Sequence, residues 1–133
     1  MQGESDLARL LAGLSPRLDE TVYVFATLAA GSPAPAGLAP VMRFAEAEGT
    51  TLVLPRAEAE RAGIGFTFPC RRIVLEIHSS LEAVGFLAAI LPRLAAAGIG
   101  VNPVSAFHHD HLFVPEARAA DAMAILEALA LGT

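Results

Sequence analysis

Lysine is absent from the chain, and cysteine occurs once, at Cys70, among 133 residues. The nine basic residues are all arginine and are scattered, with only Arg71 and Arg72 adjacent, and the net charge is −5. Nucleic-acid binding requires a clustered excess of basic side chains, so this composition argues against it. A single cysteine excludes an internal disulfide framework.

Long apolar runs are also missing, although 54% of the residues are hydrophobic. The longest candidate, residues 83–91, is ended by Pro92 and Arg93 and falls short of the roughly 18–20 residues that a membrane span requires. The first six residues are acidic and polar, unlike a secretory or transit signal. We therefore expect a soluble, cytoplasmic protein without a membrane partner, built as one ordinary domain or as two small modules.

The first half of the chain predicts short elements separated by turns. Leucines at helical spacing follow Ser5 and Asp6, and Gly49 stands where a turn between two strands favours glycine. In order, the predicted elements are a helix that ends near Gly13, a strand over 21–28, a glycine- and proline-rich loop over 31–37, strands over 41–47 and 51–54, and a helix over 55–62.

The second half is organised around an apolar strand over 72–78. A helix from Leu81 to about Ala97 follows, and Pro92 inside it predicts a kink or a break. The remaining predicted elements are a strand over 99–106, which Pro103 places at an edge or a bulge, a turn at 108–110, a strand over 111–114 and a helix opened by Pro115 and Glu116.

The order of these elements gives two imperfect copies of the pattern β-α-β-β-α-β. The first copy lacks its first helix, and the second lacks its last strand, which an N-terminal strand is expected to supply. We therefore predict an α+β, ferredoxin-like βαββαβ fold with two intertwined modules, antiparallel sheets and helices on one face. The predicted modules are residues 1–68, in which a loop replaces the first helix, and residues 69–133.

Two polar stretches meet at one end of the predicted C-terminal sheet, because the first strand and the later hairpin end on the same side. They are His78-Ser79-Ser80 and residues 107–111, and they hold all four histidines. Ser79 and Glu82 match a capping box, so free amides at Leu81 and Glu82 are available to an anion. A ligand carboxylate would bind those amides, and Asp110 would take a ligand ammonium, which suits an amino acid.

Two other interpretations of this cluster stay open. His109 and His111 share a face of a strand, so with His78 or Asp110 they offer a weak metal site. Alternatively, the polar residues only cap strand ends and bond to backbone. Catalysis has little support, because no nucleophile elbow or orienting pattern surrounds the serines. We therefore predict no enzymatic activity and no cofactor.

Several sequence blocks resemble a small bacterial ACT-domain family, whose members are similar to the paired ACT modules at the regulatory end of aspartate kinases. The blocks are Tyr23-Val24-Phe25, residues 46–54 (EAEGTTLVL), residues 78–85 (HSSLEAVG) and residues 109–115 (HDHLFVP). The resemblance covers nearly the whole chain. It implies ferredoxin-like modules that pair side by side and bind amino acids at the turn after the first strand.

The resemblance also implies particular site residues. A ligand at this turn would contact residues 78–85, with Gly85 permitting close approach, and Asn102 would add a second contact from the next strand. Together with the polar cluster, the predicted ligand-binding residues are His78, Ser79, Ser80, Leu81, Glu82, Ala83, Val84, Gly85, Asn102, His109 and Asp110.

The predicted function is a stand-alone ACT-type module that binds an amino acid in order to sense or regulate. We expect the two modules to stand without an attached kinase or dehydrogenase domain, and therefore either to act on a separate metabolic enzyme or only to sense. A homodimer or a higher homo-oligomer is expected. The alternatives are a ligand-independent interaction or dimerisation module and, with less support, a metal-dependent enzyme that uses the histidine cluster.

Overall fold

The computed structural model of this protein describes residues 6–77, 80 and 83–132. It contains six strands, four α-helices and one short 3₁₀ turn within those residues. In chain order they are α1 (Leu7–Ala12), β1 (Pro16–Ala29), β2 (Met42–Ala45), β3 (Gly49–Pro55), α2 (Arg56–Ala62), β4 (Thr67–Leu75), α3 (Phe86–Ala96), β5 (Asn102–Ser105), β6 (Asp110–Pro115), the 3₁₀ turn (Glu116–Arg118) and α4 (Ala119–Ala130).

The chain divides into two compact units. Residues Thr21–Cys70 form the first, called the N-terminal unit, and the residues up to Glu20 together with those from Arg71 onward form the second, called the C-terminal unit. Strands β1 and β4 each contribute a segment to both units. The strand order is β2-β3-β1-β4 in the N-terminal unit and β1-β4-β6-β5 in the C-terminal unit.

The N-terminal unit is an antiparallel sheet with one helix packed on it. β1 pairs with β3 from Tyr23↔Pro55 to Ala29↔Gly49, and β2 pairs with the other edge of β3. Its core consists of Val24, Ala26, Leu52, Leu54 and Ala59, with Leu28, Leu38 and Ile64 packed against it. The loop between β1 and β2 has no helix, and the Ala39 amide of this loop donates to Glu58 Oε1 of α2 at 2.7 Å.

The C-terminal unit has a larger core, to which α1, α3 and α4 all contribute. Alternate residues of β4 and β6, namely Ile73 and Leu75 with Leu112 and Val114, belong to the same buried cluster as the helices. These helices therefore lie on one face of the sheet. Their buried members include Leu10 of α1, Ile90 and Leu94 of α3, and Ala122 and Leu126 of α4.

Polar contacts between the first part of β1 and the second part of β4 show how the C-terminal sheet gains its outer strand. Arg72 donates two hydrogen bonds to Asp19 Oδ2, at 2.7 and 3.2 Å, and the Glu76 amide donates to the Ser15 carbonyl at 2.9 Å. From the first contact to the second, the residue number rises in β4, from Arg72 to Glu76, and falls towards β1's start, from Asp19 to Ser15. The two segments are therefore antiparallel. β6 lies between β4 and β5, which is the arrangement of a split βαβ sheet and confirms the predicted fold.

The predicted start of the second module's helix is wrong. Residues 83–85 are not helical, and α3 begins at Phe86, with Gly85 as its N-cap at φ +85°. This left-handed conformation favours glycine and cannot continue a right-handed helix, which is why the helix begins after it. The Ala83 amide donates to the Ser80 carbonyl at 3.0 Å, so the chain turns before α3. Ser79 and Glu82, the two ends of the predicted capping box, lie outside the described residues.

Pro92 lies inside α3 without breaking it, so the helix runs unbroken from Phe86 to Ala96. Proline removes one helical hydrogen bond and strains the preceding turn. The fully buried Ile90 and Leu94, on either side of Pro92, pack this segment into the core and offset that cost. The edge position predicted from Pro103 is confirmed, because β5 is the outermost strand of its unit.

Within the described part of the chain, no helix combines the length and the apolar character that crossing a bilayer would need.

Candidate ligand site

A cavity of about 190 Å³ opens in the C-terminal unit, between the segment that leads into α3 and the β5–β6 hairpin. It brings together four of the residues predicted to bind a ligand: Ser80, Ala83, Gly85 and Asp110. Its described lining residues are Ser80, Ala83, Gly85, Phe86, Leu87, Ala88, Ser105, Ala106 and Asp110.

Asp110 is the first residue of β6, and only 6% of its surface is exposed. Its partner across the hairpin is Ser105, whose hydroxyl donates to Asp110 Oδ1 at 2.6 Å. Burying a carboxylate costs free energy unless polar groups compensate, and the Ser105 hydroxyl supplies one of them. Among the described residues that line the cavity, Asp110 is the only charged one.

The rest of the described wall is small or apolar. The first turn of α3 contributes Phe86, which is almost fully buried, and Leu87. Ala88 and Ala106 are exposed and leave space at the rim. The cavity therefore combines one carboxylate, two serine hydroxyls and an apolar wall, as is common in small-molecule sites.

Four predicted site residues, His78, Ser79, Leu81 and Glu82, lie outside the described residues, so the amides proposed to hold an anion stay a prediction.

The three remaining predicted site residues are described but do not line the cavity. Val84 is 84% exposed. Asn102 is exposed at the opposite end of β5 from Ser105, across from Phe113. His109 is partly buried, with Nδ1 3.5 Å from the Ile77 carbonyl oxygen. Their roles in binding also stay predictions.

Sequence reasoning missed Ser105, Ala106 and the first turn of α3. The signal for Ser105 was present, because a hairpin that turns at 106–109 places Ser105 directly opposite Asp110, on the same face of the sheet. Phe86, Leu87 and Ala88 were missed because the helix was predicted to begin five residues too early. With the start at Leu81, these residues fall in the second turn of the helix.

His111, one of the two histidines of the weak metal alternative, is partly buried. Burial lowers the pKa of His111 below its ordinary value, and the positive charge of Arg72 lowers the pKa further. Among the described residues, no three or more His, Cys, Asp or Glu side chains are grouped so that they could hold a metal ion. His78, the suggested third ligand, is not among those residues.

The single cysteine is buried in the N-terminal unit. Its Sγ lies 3.4 Å from the Tyr23 carbonyl oxygen, and burial raises the pKa of the Cys70 thiol to about 12. A thiol with such a pKa is protonated at neutral pH and is a poor nucleophile.

Comparison with known proteins assigns a family to both halves of the chain. Two family models, each described as ACT domain, match residues 2–71 and residues 67–128. No curated protein sequence matches the chain.

Solved structures resemble the chain over most of its length. A Vibrio cholerae protein of unknown function, VC0802, described as a possible transport protein, is 37% identical, with a TM-score of 0.82 over 92% of this chain and 95% of that one. Agrobacterium tumefaciens Atu0741 is 19% identical, with a TM-score of 0.75 over 88% and 89%. The ligand-free regulatory subunit of aspartate kinase from Thermus thermophilus is 11% identical, with a TM-score of 0.62 over 88% and 98%. The last two likenesses show a shared fold.

Proposed function

The chain belongs to the ACT domain family, and on that premise we propose that it is a regulatory module that binds a small amino acid in the cavity of its C-terminal unit. One observation carries the proposal: the buried carboxylate of Asp110 lines a cavity whose other described walls are hydroxyls and small or apolar groups. A carboxylate in such a place offers charge-assisted hydrogen bonds to a ligand ammonium.

The size of the cavity fits a small amino acid. An apolar cavity of roughly 150 Å³ holds benzene, a ligand of about six non-hydrogen atoms. The present cavity, at about 190 Å³, therefore has room for roughly seven or eight such atoms. Serine and threonine are of this size.

We propose regulation rather than catalysis. Tandem ACT domains are regulatory modules, and none of the described residues around the cavity is a histidine that would activate Ser80 or Ser105 as a nucleophile. By analogy with the aspartate kinase regulatory subunit, whose fold the chain shares, we propose a cytoplasmic location and a separate metabolic enzyme as the target.

A ligand-independent interaction module is the second candidate, because large apolar side chains are exposed on the N-terminal unit. Phe44 is 63% exposed, Val41 40% and Phe66 37%. Contiguous apolar side chains at a sheet edge are typical of contact surfaces, and Val41 and Phe44 lie beside or within the edge strand β2. Under this alternative, the oligomer mass would be the same with and without any amino acid.

Thermal unfolding of the full chain with each of the twenty amino acids, at 10 mM, tests the proposal. At about 100 times its dissociation constant, a ligand adds roughly 2.7 kcal/mol of stability, which raises Tm by roughly 8–12 °C for a chain of this length. We expect a small amino acid to give such a shift and large aromatic ones to give none. If all twenty leave Tm unchanged, amino-acid binding is wrong, and light scattering then tests the interaction module.

A further inference from the structure

A groove of about 430 Å³, called the helical groove, lies among the helices of the C-terminal unit. It is lined by Ala8, Leu11 and Ala12 of α1, by residues 129–132 at the end of α4, and by Arg93 of α3. None of these is among the described residues that line the candidate ligand cavity. We propose that a second copy of this chain occupies the helical groove, in a dimer with two-fold symmetry.

The lining of the helical groove is mostly apolar and small. Leu11, Leu129 and Ala130 pack against the core of the C-terminal unit, so the floor of the groove continues that core. Ala8 and Ala12 are four residues apart and therefore share one face of α1. Because the distance between packed helices depends on the side chains at the contact, two alanines permit a close approach. The groove therefore suits an apolar side chain that another helix carries.

Such a side chain projects from the same surface. Leu131 is the C-cap of α4, lines the helical groove and is 83% exposed, so its burial would be favourable. The groove is larger than the roughly 150 Å³ that holds a benzene ring, so a leucine side chain fits. In a two-fold dimer the same surface of each copy contacts the other. Leu131 of each copy can therefore enter the groove of the other.

Charges on this surface are also complementary to each other. Arg93 is exposed and is the only charged residue in the described lining of the groove. Glu127 is exposed one helical turn before Leu131, on the same face of α4, so it approaches Arg93 of the second copy when Leu131 enters the groove. A guanidinium has five N–H donors, so the contacts that Arg93 makes within its own chain leave donors for this carboxylate.

The choice of a second copy as occupant follows from these two contacts. One surface carries a projecting leucine and the space for one, and it carries a carboxylate and a guanidinium. Each copy thus supplies both halves of each contact, as an interface between identical surfaces requires. The other described acid of α4, Asp121, pairs with Arg118 of its own helix, so Glu127 is the residue to test.

Sedimentation equilibrium of the full chain between about 1 and 100 µM measures the association, and a dimer has twice the chain mass of 13.8 kDa. We expect Leu131→Asp to weaken the association at least about 10-fold, because it places a charge in an apolar groove. Phe44→Asp is the matched control, since it makes the same kind of change at another exposed side chain, on the N-terminal unit. It should associate as tightly as the unaltered chain.

Charge reversal tests the ion pair separately. Glu127→Arg alone and Arg93→Glu alone bring like charges together, and each is expected to weaken the association about 10- to 100-fold. The double variant restores opposite charges in both pairs of the dimer and should return to within about threefold of the unaltered chain. Glu60→Arg, the same change at an exposed position of α2, is the control and should leave the association unchanged.

The proposal is overturned if the chain is a monomer at about 100 µM, if Leu131→Asp associates as tightly as the unaltered chain, or if the folded double variant does not recover. Loss of association in Phe44→Asp but not in Leu131→Asp would place the contact at the edge strand β2 instead. Thermal unfolding establishes which variants are folded. If Arg93→Glu does not fold, Leu131→Asp and Glu127→Arg decide the proposal.

The outcome is separate from that of the proposed function. Leu131 does not line the ligand cavity, so Leu131→Asp should keep the rise in Tm that an amino acid gives. Dimers without any such rise would preserve the helical groove as an interface and remove amino-acid binding. A rise in Tm from a chain that stays monomeric would do the reverse.

Discussion

The Ala88→Leu variant is expected to fold as stably as the unaltered chain and to bind its amino acid about 100-fold more weakly. Ala88 lies in the first turns of α3, lines the cavity and is exposed at its rim. Leucine is a good helix former, so the change costs the helix little. Its additional carbons occupy space that the ligand needs, and overpacking of this kind costs about 1–3 kcal/mol, or up to about 100-fold in affinity.

Calorimetric titration with the amino acid that gives the largest thermal shift measures this effect. Ala95→Leu is the matched control, because Ala95 is also exposed on α3 but does not line the cavity. Its affinity should equal that of the unaltered chain. If Ala88→Leu binds as tightly as Ala95→Leu, the amino acid occupies another place on the protein.

Replacement of Gly49 by alanine is expected to lower the free energy of unfolding by about 3 kcal/mol. Gly49 begins β3, exchanges backbone hydrogen bonds with Glu46 and has φ +155°. A β-carbon at this position would lie 2.4 Å from the Leu28 carbonyl oxygen and 3.1 Å from Thr27 Oγ1. The first of these neighbours is backbone of the paired strand β1, so it cannot move aside without breaking the ladder.

Urea unfolding of three glycine variants separates the causes of this loss. Gly63→Ala is expected to cost about 1 kcal/mol, because Gly63 has φ +69° but no atom within 4 Å of the added carbon. Gly100 also has no atom within 4 Å of an added β-carbon, and its φ is not left-handed. Gly100→Ala should therefore change the free energy of unfolding by less than about 0.5 kcal/mol. If Gly49→Ala costs no more than Gly63→Ala, the close approach to β1 does not determine stability.

The fold is predictable from the sequence because, for most elements, the spacing of the apolar residues and the positions of the turn residues indicate the same helix or strand. The helix ended by Gly63 lies where the sequence places it. The last helix was predicted to open at Pro115 and Glu116, but Pro115 ends β6, a 3₁₀ turn spans Glu116–Arg118 and α4 begins at Ala119. The strand over 21–28 was predicted too short, since β1 begins at Pro16. Its first residues include Arg17 and Asp19, which give no apolar alternation. These residues are part of the strand because Asp19 pairs with Arg72 and Arg17 pairs with Glu76. Such long-range contacts leave no local pattern in the sequence.

The candidate site is predictable in part, for a different reason. Topology alone places Asp110 near the turn after β4, and Ser80 and Asp110 do line one cavity. The apolar wall was not predicted, because the capping-box pattern of Ser79 and Glu82 indicated a helix start that α3 does not use. The left-handed conformation of Gly85, with φ +85°, sets the start of α3 instead. The residues next to a glycine in the sequence do not reveal whether its φ is positive.

A crystal structure of the chain with the amino acid that stabilises it most tests the central claim most directly. The account predicts density for that molecule in the cavity of the C-terminal unit, with its nitrogen about 3 Å from a carboxylate oxygen of Asp110 and its side chain toward Phe86 and Leu87. Density for the amino acid at any other place, with this cavity empty, would contradict the account.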